Sequence, residues 1–266
     1  MSTFIQTLFV GLRLGSIYAL VALGYTMVYG IIRLINFAHG DFIMVGGYTM
    51  IFTVPAALAL GLPAWTAVLA AIAMSLLLEN LAQAIPAIGP NPKVASQIFT
   101  AGGISFAGVT LEYTTLLTIV ISAIVMVVLF QFTQRTKLGR AMRCVSEDKE
   151  AATLMGINVN HTILATFAIG SGLAAVAALM YMAQYPKIYT TMGSLLGLKA
   201  FVSAVLGGIG IIPGAVLGGI VIGLVESFTT SYVSSSMADA FVFLILIVVL
   251  VLKPAGILGK NVGEKV

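Results

Sequence analysis

Long apolar stretches without a charged residue alternate along this chain with short polar stretches. Asp, Glu, Lys and Arg are absent from 14–32, 42–78, 94–111, 113–134, 151–186 and 200–225. An α-helix needs about 20 mainly apolar residues to cross the hydrocarbon core of a bilayer. A transmembrane β-barrel would instead show segments of about ten residues with alternating hydrophobicity. The pattern therefore predicts an all-α, polytopic transmembrane helical bundle with about seven or eight spans.

The predicted spans follow the charge-free stretches. They lie near 5–30, 36–60, 64–86, 113–133, 161–184, 198–212, 213–232 and 237–253. The piece 198–212 is short and rich in glycine, which is typical of a broken helix or a re-entrant segment. Residues 96–111 are also too short and too rich in glycine to span a bilayer alone. We interpret the first apolar stretch as a retained span, because residues 1–12 contain no Lys or Arg.

Composition narrows the class of protein. Of the 266 residues, 60% are hydrophobic and 8% are charged, whereas soluble domains contain about 25% charged residues. A water-soluble enzyme is therefore excluded. The single Cys144 excludes a disulfide framework, and two histidines leave little for a metal site. We expect no catalytic residue, no metal and no cofactor, and the absence of a G-x-x-x-x-G-K-[ST] motif means that ATP is not bound in the usual way.

The basic residues predict how the chain is oriented. Five of them lie in the loop 134–160, and three more lie in the tail: Arg135, Lys137, Arg140, Arg143, Lys149, Lys253, Lys260 and Lys265. Basic loops stay on the cytoplasmic side, so we assign loop and tail to the cytoplasm and the net charge of +4 to orientation, not to nucleic-acid binding. Counting spans back from the loop places the N-terminus inside and Arg33 outside. The rule does not favour that placement, so the topology of the N-terminal half stays open.

Two groups of glycines have different predicted roles. Gly214 with Gly218, and Gly219 with Gly223, have the spacing that lets helix backbones approach closely in lipid. Gly207, Gly208 and Gly210, followed by Pro213, must interrupt a helix. Such interruptions line the substrate path in many transporters, so these three residues are candidates for the translocation pathway. A plain turn between two helices is the alternative.

Glu226 is a carboxylate in the middle of a predicted apolar span. Ionisable residues inside a membrane are costly and are usually functional. We therefore take Glu226 as a second candidate for the translocation pathway or its gating. The alternative is a buried structural pair with an Arg or a Lys.

The loop contains the signals of a short helix outside the bilayer. Ser146 is a suitable N-cap, acidic residues follow it in the first turn, and Gly156 fits the position just after the helix. These signals predict a helix over 146–155. Its apolar Leu154 and Met155 indicate a surface that docks onto another protein, although a solvated linker would have a similar pattern.

Four segments resemble a known family. Glu150, Ala151, Ala152 and Gly156 match the EAA…G loop of ABC importer permeases. Further segments resemble the LivH-type permeases of high-affinity branched-chain amino acid transport: 12–47, 136–158, 197–226 and 253–259. The likeness covers nearly the whole chain in order, so residues 1–266 are read as a single permease domain with a coupling loop at 134–160.

The resemblance implies a function and its partners. In this family the loop helix seats in a cleft of an ABC ATPase, which assigns ATPase coupling to Glu150, Ala151, Ala152 and Gly156, with Arg140 and Arg143 steering the docking. The implied partners are a second, related permease in a heterodimer, two ABC ATPases, a periplasmic amino-acid-binding protein and membrane lipid. The implied activity is import of leucine, isoleucine and valine through the bacterial inner membrane.

Two alternatives remain at this stage. Within the family, a urea or short-amide permease is the near alternative. A secondary transporter or channel would also be apolar and rich in glycine, but it would not need a docking helix.

One departure from the family lies between Met74 and Ser75. There the chain lacks the end of one span, a basic cytoplasmic loop and the start of the next span. Restoring one crossing would move Arg33 to the cytoplasm and the N-terminus outside.

Overall fold

The described part of the chain is predominantly helical. The computed structural model describes residues 2–32, 77, 80, 81, 83, 84, 91–94, 102–106, 109–185, 187–188 and 192–259. Its helices are α1 Ser2–Ile32, α2 Tyr113–Arg135, α3 Lys137–Glu147, α4 Lys149–Leu154, α5 Val159–Gln184, α6 Met192–Gly207, α7 Ile212–Tyr232 and α8 Ala238–Leu252, with a 3₁₀ turn at Ser235–Met237. The predicted helical bundle is confirmed.

Five of the described helices are long and apolar enough to cross a membrane. They are Thr3–Gly30, Tyr113–Arg135, Val159–Gln184, Ile212–Tyr232 and Ser235–Leu252. α6 is apolar but has only 16 residues. The predicted span 36–60, the polar positions Arg33, Asn36, His39 and Asp41, and the junction after Met74 lie outside the described residues, as does all of the predicted span 64–86 except five positions.

Two short sheets are exceptions to the all-α prediction. β1 Lys93–Val94 pairs with β4 Lys187–Ile188, and β2 Gly103–Phe106 pairs with β3 Val109–Glu112, both antiparallel. The second pair lies in the segment that was too short to span, and its Ile, Phe, Val and Thr residues favour strands. Tyr113 begins α2 directly after it, so this hairpin marks one end of the bundle. We call that end the hairpin end, and the end that carries residues 136–158 the loop end.

α1 runs from the hairpin end to the loop end. Near its start, Ser227 Oγ donates to Thr7 O (2.7 Å), and Arg13 Nη1 donates to Thr115 Oγ1 (3.0 Å) on the first turn of α2. At its other end, Gly30 lines a cavity together with Arg143 of α3. This direction disagrees with the placement obtained by counting spans, which puts the N-terminus on the same side as the loop, and it agrees with the placement expected when one crossing is restored.

The direction of α1 bears on the N-terminal half. Ile32 lies at the loop end, whereas Glu112 precedes α2 at the hairpin end. The chain between them therefore begins and ends on opposite sides of the bundle.

α1 occupies the centre of the described bundle. Its Ile17, Leu20 and Leu23 are fully buried. A Cβ on Gly15 would lie 2.7 Å from Ile220 Cα, and one on Gly219 would lie 2.6 Å from Ala19 N, so α1 and α7 meet backbone to backbone. Gly223 meets α1 in the same way. Because glycine has no side chain, the two backbones come into van der Waals contact. Such packing is a main source of attraction between helices in lipid.

The other glycine pair on α7 faces a different helix. Gly218 lies against Ser203 O, and Gly214 lies against Gly207, both in α6. The two consecutive pairs thus give α7 a close contact with a different helix on each side. α7 is held between α1 and α6 through glycine on both faces.

Candidate functional site

The loop end carries two consecutive helices where one was predicted. Asp148 caps α4, because its Oδ1 accepts from Glu150 N (2.8 Å) and Ala151 N (3.0 Å). Ser146 lies inside α3, and its hydroxyl donates to Arg143 O (2.6 Å). The predicted start of the helix at Ser146 is therefore wrong. A carboxylate that satisfies two N–H groups is the stronger cap.

Sequence reasoning missed α3. Its buried residues Met142 and Val145 lie on one face, at the spacing typical of an amphipathic helix. Thr136 caps it by accepting from Gly139 N (3.0 Å). The dense basic residues of this stretch obscured that apolar spacing. The end of α4 agrees with the prediction, since Gly156 follows the cap residue Met155 with φ +79°.

The residues expected to couple to an ATPase divide into two groups. Ala152 lies on the inner face of α4, where it is 2% exposed and packs within the apolar core of the bundle. Glu150 and Ala151 are exposed, and Leu154 and Met155 reach 89% and 83% exposure. α4 therefore rests on the bundle through one small side chain and presents two large apolar side chains outward.

Arg140 and Arg143 have different surroundings. Arg140 is exposed, and its side chain makes no hydrogen bond or ion pair within the described part of the chain. Arg143 Nη1 donates to Gln134 Oε1 (2.7 Å), and its Nη2 donates to Gln134 O (3.3 Å). Arg143 thus connects α3 to the last turn of α2, whereas Arg140 is available to a partner.

The glycine-rich interruption is a turn at the loop end. α6 ends at Gly207 and α7 begins at Ile212, with Gly208 and Gly210 at φ +107° and +92°. These left-handed values favour glycine. The C-terminal segment covers the turn, because Ile257 N donates to Leu206 O (2.8 Å). Of the three glycines proposed for the pathway, Gly210 lines the cavity described below.

Glu226 belongs to a buried ionic cluster near the hairpin end. Lys199 Nζ lies 2.7 Å from Glu226 Oε1 and 2.7 Å from Asp239 Oδ1. Tyr18 OH donates to Glu226 Oε2 (2.6 Å). We call these four residues the Lys199 cluster; it joins α1, α6, α7 and α8. This geometry matches the structural alternative for Glu226, and the sequence signal for its partner was a lysine inside an apolar span.

A second polar group ties α1 to the hairpin. Arg13 is 5% exposed and lies 3.6 Å from Glu112 Oε2, beside its hydrogen bond to Thr115. Gln184 Nε2 also donates to Glu112 Oε2 (2.9 Å). The carboxylate of Glu112, directly before α2, therefore links Arg13 of α1 to Gln184 at the end of α5.

A cavity of about 860 Å³ opens between the loop helices and the rest of the bundle. It is bounded by the end of α1, the end of α2, α3, the α6–α7 turn and the C-terminal segment. Most of its walls are apolar, and α3 contributes Arg143, Ser146 and Glu147. No group of three or more His, Cys, Asp or Glu that could hold a metal occurs among the residues that the structure describes.

Comparison with known proteins identifies the family. The family described as branched-chain amino acid transport system permease component matches residues 7–85 and 85–250. The chain is similar to the high-affinity branched-chain amino acid transport system permease protein BraD of Pseudomonas aeruginosa, with 38% identity over 99% of this chain and 98% of that protein. It is 35% identical to LivH of Escherichia coli K12, over the same shares. No solved structure matches the chain.

The alignment lengths reveal a difference from these relatives. The alignment with BraD covers 307 positions, whereas the chain has 266 residues, so at least 41 positions (307 less 266) have no residue of this chain. A span with a connecting loop has about that size.

The relatives are permeases, so the chain is a transporter subunit and not an enzyme, and it lies in the bacterial inner membrane as a multi-pass protein. The chain belongs to the family of permease components of branched-chain amino acid transport systems.

Proposed function

We propose that this chain is the permease subunit of an ABC importer that moves leucine, isoleucine and valine into the cytoplasm. Partner subunits hydrolyse the ATP. The observation that carries this proposal is α4, a capped helix outside the apolar bundle with two large apolar side chains exposed. The full-length similarity to branched-chain amino acid permeases supports the substrate class.

Orientation follows from charge. The loop end carries Arg135, Lys137, Arg140, Arg143 and Lys149, and the described C-terminal segment ends there too. We propose that this end faces the cytoplasm, in agreement with the distribution of basic residues. α1 then begins on the periplasmic side.

The mechanism of coupling rests on the short connections around α4. Leu154 and Met155 dock into an apolar cleft of an ATPase. Ile157 N donates to Ala152 O (3.0 Å) and Val159 begins α5 two residues later, so a displacement of α4 acts directly on α5. The Arg143–Gln134 contact transmits the same displacement to α2.

We propose the following assembly. ABC permeases of this family associate with ATPases and substrate-binding proteins. In the finer arrangement that we propose, this chain pairs with a second, related permease, and the pair binds two ATPases and receives substrate from a periplasmic binding protein. The exposed apolar faces of α2 and α8 are available to the second permease and to lipid.

ATP-driven uptake tests the function directly. The chain is reconstituted in proteoliposomes with its partner permease, its ATPases and its binding protein, and uptake of radiolabelled leucine is measured with and without ATP. We expect uptake that needs both ATP and the binding protein, and competition by isoleucine and valine. Uptake driven by an ion gradient without ATP would show a secondary transporter, and uptake of urea in place of leucine would show the other branch of the family.

A further inference from the structure

The cavity at the loop end contains a buried hydroxyl without a partner. Thr26 is 1% exposed and contributes to the cavity wall, and its Oγ1 has no hydrogen-bond partner within the part of the chain that the structure describes. Burying a polar group without a partner is unfavourable, so a hydroxyl in this wall favours a bound molecule that supplies the missing hydrogen bond. The cavity volume of about 860 Å³ is in the range of small-molecule sites.

Two opposite charges line the same cavity. Arg143 and Glu147 are four residues apart on α3, so their side chains lie on one face of that helix. The described structure contains no ion pair between them. Only two N–H groups of the Arg143 guanidinium are used by Gln134, and a guanidinium has five. One cation and one anion are therefore available to a ligand at a separation set by one helical turn.

The remaining wall defines the body of the ligand. The apolar part of the lining comes from four different helices and includes Phe130, Met142, Val205 and Ile212. A ligand that carries an ammonium and a carboxylate next to a branched aliphatic group satisfies all three features. Its carboxylate meets Arg143, its ammonium meets Glu147, and its side chain contacts the apolar wall.

We infer that this cavity is a product site, at which the imported amino acid binds from the loop side and slows the ATPase cycle. The inference rests on the proposed function and adds a regulatory site to it. The cavity can affect the ATPase because its charged residues lie directly before the coupling helix α4. Arg143 and Glu147 belong to α3, and only Asp148 separates α3 from α4, so a ligand that joins α3 to α1 and the α6–α7 turn restrains the coupling helix.

The test measures ATPase activity of the complex of this chain with its partner permease and ATPases in nanodiscs, without binding protein. L-leucine is titrated, with leucinol and 4-methylvalerate as analogues that each lack one charge. We expect leucine to lower ATP turnover at least twofold, and each analogue to need about tenfold higher concentration. Binding of radiolabelled leucine to the same complex is measured in parallel.

Matched variants locate the site. Glu147→Gln removes the partner of the ammonium, and we expect the half-inhibitory concentration to rise about tenfold. Glu147→Asp keeps the charge and is expected to stay within about threefold of the parent. Thr26→Val removes the hydroxyl at constant shape and is expected to weaken inhibition, whereas Thr26→Ser keeps it.

The outcomes separate this inference from the proposed function. A complex that imports leucine, but whose ATPase activity does not respond to leucine on the loop side, overturns the product site alone. Inhibition that is identical in Glu147→Gln and in the parent also overturns it, because the ligand then binds elsewhere. A complex that imports none of the three amino acids overturns the proposed function itself.

Discussion

The two ends of the bundle are built by different means. Towards the hairpin end, buried ionic groups hold neighbouring helices together: Lys199 bridges two carboxylates, and Arg13 meets Glu112. At the loop end, a cavity separates the helices, and α4 projects with two apolar side chains in solvent. The hairpin end thus joins its helices through buried ionic groups, whereas the loop end presents a cavity and an exposed apolar surface.

Removing the cation of the Lys199 cluster should have the largest effect on stability. Lys199→Met leaves Glu226 and Asp239 as two buried or partly buried carboxylates without a cation. We expect a loss of about 3–5 kcal/mol, or failure to assemble. Thermal unfolding of the purified complex measures it. Lys137→Met, at an exposed position outside any ion pair of the described residues, is the control, and equal melting temperatures would contradict the account.

The glycine contact between α1 and α7 should be next. Gly219→Ala places a methyl group 2.6 Å from Ala19 N, so the helices must separate. We expect a loss of about 1–3 kcal/mol, as for other overpacked interiors. Gly172→Ala is a matched control, because a Cβ there has no neighbour within 4 Å. If both variants melt at the same temperature, the close contact is not important for stability.

At the loop end, Gly156→Pro should abolish transport without unfolding the bundle. Proline cannot adopt φ +79°, and it removes the N–H that donates to Thr153 O (3.0 Å). ATP-driven uptake should fall to background while membrane insertion and thermal stability stay near those of the parent. Asn160→Ala, an exposed position at the start of α5, controls for changes near the loop. Normal uptake by the proline variant would refute the coupling role of α4.

The smallest effect is expected for Glu226→Gln. The amide still accepts a hydrogen bond from Tyr18, and Lys199 keeps Asp239 as a partner. We expect a loss of stability of about 0.5–1.5 kcal/mol with uptake per folded molecule unchanged. Uptake that falls severalfold at unchanged stability would place Glu226 in the translocation pathway.

The sequence was sufficient to predict a membrane protein and most of its helices, because a charge-free stretch of about 20 residues indicates a helix that lies in lipid. α2 begins at Tyr113 as predicted and ends two residues beyond the predicted 133. The Lys199 cluster could not be predicted in full. Its partners come from four helices far apart in the chain, and periodicity contains no information about which faces meet.

The errors at the loop have a local physical cause. Ser146 and Asp148 are both good caps, and only the competing helix α3, which continues through Glu147, excludes the first of them. The direction of α1 stayed open in the sequence analysis for a different reason. Counting crossings requires every span to be present, and at least 41 aligned positions of BraD have no counterpart in this chain.

Site-specific cross-linking tests the central claim most directly, that α4 docks onto an ATPase. Cys144 is the only cysteine, so Cys144→Ser gives a background without thiols. Met155→Cys in that background places a thiol on the most exposed part of the loop, and Leu244→Cys places one on the exposed face of α8 as the control. The account predicts a cross-link to the ATPase subunit from position 155 and none from position 244. An assembled, ATP-hydrolysing complex with no cross-link from position 155 would contradict it.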